Sequence, residues 1–196
     1  MANLTTIAAV KTHLGLPADD SSQNAKIAAL IEGVSALVET SCRRTFSRAE
    51  YTAKIDGDGD QEILLPQFPL LELTGISIDG TAVDIDAEIA AGDITIDEPA
   101  GIVFREAGFR RGRQNVVVTF EAGYTLPQED EESGAAPTLP RDLQLAVNRI
   151  CARIYERSTA EGVGTVSPDR FQVQYKDSFD PEIQATLDAF TRSLLA

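Results

Sequence analysis

Apolar residues recur at helical spacing near both ends of the chain and alternate at strand spacing between them. Ile7, Val10 and Leu14 fall on one face of a short helix that Thr5 or Thr6 can cap and Gly15 can end. A threonine oxygen accepts a free backbone amide, and glycine enters the left-handed region without a steric penalty. After Pro17 and the polar run Asp19-Asp20-Ser21-Ser22, a second helix carries Ile27, Leu30, Ile31, Val34, Leu37, Val38 and Cys42 along one stripe. Lys26, Glu32 and Glu39 occupy its other side, so the pattern predicts a helical hairpin over residues 1–45 with one buried face.

From Phe46 the period shortens to two. Tyr51–Ile55, Glu62–Leu65, Leu71–Ile78, Thr81–Ile85, Asp93–Ile96, Gly101–Arg105 and Val116–Phe120 are short, rich in β-branched or aromatic residues and separated by turn signals. Strands this closely spaced, with no helix between them, predict a mostly antiparallel sheet or small sandwich over residues 46–125 rather than a parallel α/β core. Two turns stand out: Asp56, Gly57, Asp58 and Gly59 form the expected tip of a hairpin, and Asp79 with Gly80 forms a second compact turn.

Residues 126–138 hold the acidic run Gln128-Glu129-Asp130-Glu131-Glu132-Ser133-Gly134, too polar for a core and expected as a loop that would order only against something basic. Pro140 then opens a helix with the stripe Leu143, Val147, Ile150 and Ile154, while Arg149, Arg153 and Arg157 follow at four-residue spacing on another face. An extended piece is expected at Phe171–Tyr175. Asp180-Pro181-Glu182 starts a last helix whose stripe is Ile183, Leu187, Phe190 and Leu194. The expectation is one α+β domain over residues 1–196, with C-terminal helices over 139–196.

Composition narrows the function. With 196 residues, 43% of them hydrophobic, the chain can bury a substantial core. A net charge of −14 disfavours ordinary nucleic-acid binding, because phosphate affinity comes from Lys and Arg. No apolar run approaches the roughly 20 residues needed to cross a bilayer, and the first residues lack a basic and hydrophobic leader, so no membrane association and a cytoplasmic site of synthesis are expected. Cys42 and Cys151 fall on apolar helix faces and read as structural thiols.

Site chemistry is sparse. Asp56, Asp58 and Asp60 alternate as in the first half of an EF-hand loop, yet Gln61 stands where glycine is required and Gln67 where the closing glutamate belongs. Two cysteines and one histidine, His13, give no zinc spacing, and no nucleophile elbow, phosphate loop or dinucleotide fingerprint is present. Neither an enzyme nor a cofactor or metal site is expected. One charge feature is sharper: Arg105, Arg110, Arg111 and Arg113 crowd a stretch between strands in an otherwise acidic protein. With Arg149, Arg153 and Arg157 they are candidate contacts to an acidic patch on another copy, since opposed charges fix register at a head-to-tail interface.

The order of segments resembles the head-tail connector, or adaptor, proteins of long-tailed double-stranded DNA phages and prophages. The resemblance is carried by Leu4–Gly15, by Val38-Glu39-Thr40-Ser41-Cys42-Arg43-Arg44-Thr45-Phe46, by Ile55-Asp56-Gly57-Asp58-Gly59 and by Leu64-Leu65-Pro66 with Phe68-Pro69-Leu70. It continues through Ile76-Ser77-Ile78-Asp79-Gly80, Asn115–Tyr124, Leu139–Val147 and Ile154-Tyr155-Glu156. It implies a structural virion protein of the neck, assembled in the host cytoplasm. Such a protein forms a ring of about twelve copies under the portal protein, extends the DNA exit channel and offers a surface to a stopper or tail-completion protein. DNA would pass through the lumen without specific binding. By the same resemblance the C-terminal region is the candidate portal-docking element, with Ile183, Leu187, Phe190 and Leu194 suited to a groove. The alternatives are a tail-completion, neck-stopper or tail-terminator protein, or a metal-dependent hydrolase using the aspartates at 56–60.

Overall fold

The computed structural model describes residues 2–128, 136–159 and 180–191. The expected loop at 128–134, apart from Gln128, the expected extended piece at Phe171–Tyr175 and Leu194 lie outside them. The described chain is α+β and falls into two compact units, one built from residues before 44 and after 125, the other from residues 44–125.

The first unit is helical: α1 (Ile7–Leu14), α2 (Asn24–Cys42), α4 (Arg141–Thr159) and α5 (Pro181–Phe190). The Thr6 hydroxyl accepts from the Ala9 amide at 3.2 Å, and Gly15 ends α1 at φ 67°. On α2, Ile27, Ile31, Val34, Val38 and Cys42 are buried, but Leu37 is 42% exposed and Leu30 only half-buried. Both leucines lie roughly 80–100° round the helix from the centre of the stripe, on its flank. The Pro140 carbonyl accepts the first bond of α4, from Gln144 at 3.1 Å. Leu143, Val147 and Ile150 are buried in that helix, whereas Ile154 remains 37% exposed. Ile183 and Leu187 of α5 pack against α2 and α4, and the Cys42 thiol donates to the Leu187 carbonyl at 3.5 Å.

The second unit contains β1 (Ala49–Gly57), β2 (Glu62–Leu64), β3 (Leu70–Ile78), β4 (Thr81–Ala82), α3 (Ile85–Ala91), β5 (Ile94–Asp97), β6 (Ile102–Arg105) and β7 (Gly112–Ala122). The strands make two antiparallel sheets, ordered β1-β7-β3-β4 and β2-β6-β5. One core serves both: Ala53, Ile76, Val116, Val118 and Phe120 from the larger sheet meet Ile63, Ile94 and Val103 from the smaller.

Two expectations are corrected here. The strand expected at Thr81–Ile85 stops at Ala82, and a helix follows, because Asp84 caps the Ala87 amide at 3.2 Å, Asp86 and Glu88 fill an acid-favouring first turn and Gly92 closes it at φ 82°. The segment after β1 is not a hairpin tip either. Strand β1 pairs with β7 and β2 with β6, so residues 58–61 carry the chain from one sheet to the other. The Asp-Gly signal is local, while pairing was decided by the long β7, which supplies an eleven-residue partner to β1 on one side and β3 on the other.

Candidate assembly surface

The aspartate run and the arginine stretch, far apart in sequence, lie against each other at one end of the β unit. Gly57 makes this possible: a Cβ there would stand 1.9 Å from the Arg110 carbonyl oxygen. Asn115 bridges the two segments, its Oδ1 accepting from the Gly57 amide at 2.9 Å and its Nδ2 donating to the Arg110 carbonyl at 2.9 Å and to Asp79 Oδ1 at 3.3 Å. Asp56 accepts from the Gln114 amide at 2.5 Å, and Arg111 Nε donates to the Asp58 carbonyl at 2.5 Å. Between them the two backbones pair, with the Gly59 amide donating to the Phe109 carbonyl at 2.9 Å and the Phe109 amide donating to the Asp60 carbonyl at 2.8 Å. The carboxylate of Asp56 therefore organises a loop. Asp79 (φ 52°) and Gly80 (φ 79°) join β3 to β4 beside this network.

The arginines have separate fates. Arg105, in β6, forks onto Glu88 of α3 with two contacts of 2.7 Å and donates to the Gly108 carbonyl at 3.0 Å. Hydrogen bonding to the guanidinium holds the Glu88 carboxyl below its ordinary range, and the same bond raises Arg105. This pair ties α3 to β6 and is not free for a partner. Arg110 reaches Asp79 at 3.5 Å but is 80% exposed, so the contact contributes little. Arg111 and Arg113 are exposed, and among the described residues no carboxylate pairs with Arg113. On the helical unit, Arg149 pairs with Glu182 at 2.9 Å and Arg153 approaches Asp180 at 3.7 Å, both fastening α4 to α5, while Arg157 lies on the exposed side of α4.

The apolar stripe of α5 is turned inward. Ile183 is 3% exposed and Leu187 1%, so these two fill the chain's own helical core, while Phe190 is half-buried. A helix with one narrow apolar stripe can satisfy a neighbour in its own chain or a partner's groove, and here the internal neighbours α2 and α4 take it.

Sequence reasoning overlooked Arg44 as a structural residue. Its side chain is 4% exposed, with the guanidinium carbon 3.5 Å from the Phe68 ring centre, 4.8 Å from Phe46 and 5.9 Å from Tyr124, and it donates to the Phe68 carbonyl. A cation beside aromatics in Arg44-Thr45-Phe46 was the available signal. Lys11 is likewise buried and donates to the Ala18 and Asp20 carbonyls at 3.1 and 2.7 Å. His13 is exposed on α1. Cys42 and Cys151 are free and buried, and burial pushes the Cys151 thiol up to about 12. Among the described residues no three His, Cys, Asp or Glu side chains are grouped to hold a metal ion, and no helix is long and apolar enough to cross a membrane.

A family model described as head completion protein matches residues 3–193. No curated protein matches the chain in sequence. Among solved structures, a chain from the neck of an empty GTA particle computed with C6 symmetry is 17% identical with a TM-score of 0.54. One from the virion of a native gene transfer agent (GTA) particle is 17% identical at 0.53, and one from the neck of a native GTA particle computed with C12 symmetry is 13% identical at 0.51. Each alignment covers 100% of this chain and 97% of the other. At such identities the likeness is one of fold, and it runs through both units.

Proposed function

The chain belongs to the head completion protein family, and from that premise we propose that it forms a ring beneath the portal, extends the DNA exit channel and presents a surface to a stopper or tail-completion protein. Its role is that of a structural head-tail connector of the virion. The observation that carries the proposal is the family match across residues 3–193, supported by a fold shared over its full length with chains of GTA necks.

The charge distribution fits this role. Buried or braced arginines serve the fold, the carboxylate excess leaves the surface acidic, and a polyanion sliding past acidic walls is repelled and does not adhere. The exposed Arg110, Arg111 and Arg113 form the natural contact to the acidic flank of an adjacent copy, in a heterologous arrangement that closes into a ring of about twelve subunits. The protein works by geometry and surface charge, with no catalytic step.

Particles made without this protein test the proposal by electron microscopy. DNA-filled heads that lack tails are the expected outcome. Empty heads with an intact portal, or tailed infectious particles, would overturn it.

A further inference from the structure

The smaller sheet buries one face and keeps an apolar patch on the other. Ile63, Ile96 and Val103 turn into the core of the β unit. Their neighbours along the strands face outward, where Phe104 lies opposite Glu62 and Thr95, and Ile102 lies opposite Leu64 and Asp97. Leu64 is 38% exposed and Ile102 and Phe104 are half-buried, so apolar surface stays open to water. A shallow cavity of about 550 Å³ opens there, with Asp60, Gln61, Glu62, Leu64, Ile102 and Phe104 in its wall. Glu62 and Asp97 stand at opposite corners of the patch. Asp97 accepts from the Ala100 amide at 3.2 Å, but among the described residues neither carboxylate meets a cation.

An apolar centre between two unpaired acids is complementary to an apolar side chain between two cations. The exposed large hydrophobic residues of the described chain are Leu37, Leu64, Leu71, Ile89, Leu145 and Ile154. Leu145 alone among them has a cation four residues before it and another four after, Arg141 and Arg149. That spacing puts all three on one face of α4. Arg141 is exposed and, among the described residues, no carboxylate pairs with it. Arg149 gives Glu182 one contact at 2.9 Å, which leaves the rest of its guanidinium fork for a second acid.

We propose that the outer face of the smaller sheet seats α4 of a neighbouring copy, with Leu145 over Ile102 and Phe104 and the two arginines at Glu62 and Asp97. The dimensions agree. Arg141 and Arg149 are separated by eight residues of helix, a rise of about 12 Å. Glu62 and Asp97 are two strands and two residues apart, a diagonal of about 12 Å at ordinary strand spacings. Midway along that diagonal β6 passes between Ile102 and Phe104, just as Leu145 lies midway between the arginines. A second copy is the occupant because α4 is the arginine-rich helix of an acidic chain, with Arg141, Arg149, Arg153 and Arg157 against Asp142 and Glu156. The assignment rests on the connector reading, since an acidic face on one unit that receives a basic face on another is a heterologous contact that repeats round a ring.

Cross-linking tests the contact. The two native thiols are buried, so new ones report alone. Leu64→Cys and Leu145→Cys are made on separate chains, one of them tagged, co-assembled into particles and treated with a short bismaleimide; a mixed two-chain product is expected. Leu71→Cys, similarly exposed but on β3, is expected to give little with Leu145→Cys. Adding Arg141→Glu to the Leu145→Cys chain should lower the mixed product about threefold, the scale of one exposed ion pair. Glu62→Arg or Asp97→Arg on the receiving chain should restore it, and the one that does so tells which way α4 runs across the sheet. Equal linkage from both cysteine pairs, linkage only when both cysteines share one chain, no mixed product in particles that carry tails, or rescue by neither arginine would overturn the docking and leave the connector reading standing. Tailed particles formed without the protein would overturn the connector reading itself.

Discussion

Gly57 shows how much one missing side chain can decide. It lies where β1 meets the arginine stretch, and any Cβ would overlap the Arg110 carbonyl, backbone that cannot swing aside. The requirement is closeness and not an unusual φ, since Gly57 is absent from the positive-φ residues. Gly57→Ala should therefore lower stability by about 3 kcal/mol, the upper range for overpacking, and loosen the Asp56 and Asn115 contacts that fix the loop. Gly75→Ala, whose Cβ would meet Thr119 at 3.6 Å, is the control and should stay within about 0.5 kcal/mol. Thermal unfolding of the two variants checks the contrast. The sequence marked this glycine as a turn former, but the reason for it lies 53 residues away, at Arg110, and only folding brings that reason into view.

The strongest element signals were legible because they are local. Thr6 and Gly15 bracket α1, the phase of Ile27, Ile31, Val34 and Val38 sets α2, and Asp180-Pro181-Glu182 begins α5. Helix α3 was missed although its cap, acidic turn and closing Gly92 were all written in the chain; Ile85 and Ile89 alone are too few to show a period. Partner choice was not local. The stripe of α5 suits a portal groove as well as a neighbouring helix, and Ile183 and Leu187 went inside because α2 and α4 offered an apolar surface to cover. Leu187→Ala should then destabilise the isolated protein by about 3 kcal/mol, measured by denaturant unfolding, as expected for emptying a buried leucine site. A change below about 0.5 kcal/mol would mean that the residue is kept for a partner.

At the scale of the molecule, charge is spent in two ways. Arg44, Arg48, Arg105, Arg149 and Arg153 brace the fold, through aromatic rings or the carboxylates of Glu121, Glu88, Glu182 and Asp180. Arg110, Arg111 and Arg113 remain exposed at one end of the β unit. Replacing Arg110 and Arg113 together by alanine spares the Arg111 brace, and should reduce the assembled fraction and flatten its dependence on salt, because the screened attraction is gone. Sedimentation of neck complexes at low and high salt reads this out; unchanged size and salt response would remove the loop from the interface. The sequence by itself determined the helical ends, the short antiparallel strands, the acidic surface and the connector-like order of segments, since period, capping and net charge are properties of neighbours along a chain. The tertiary structure alone decided that β1 pairs with β7 and not β2, that the aspartate run is clasped by the arginine stretch, and that α5 faces inward. Those outcomes depend on which distant surfaces bury each other best, a competition no local pattern can settle.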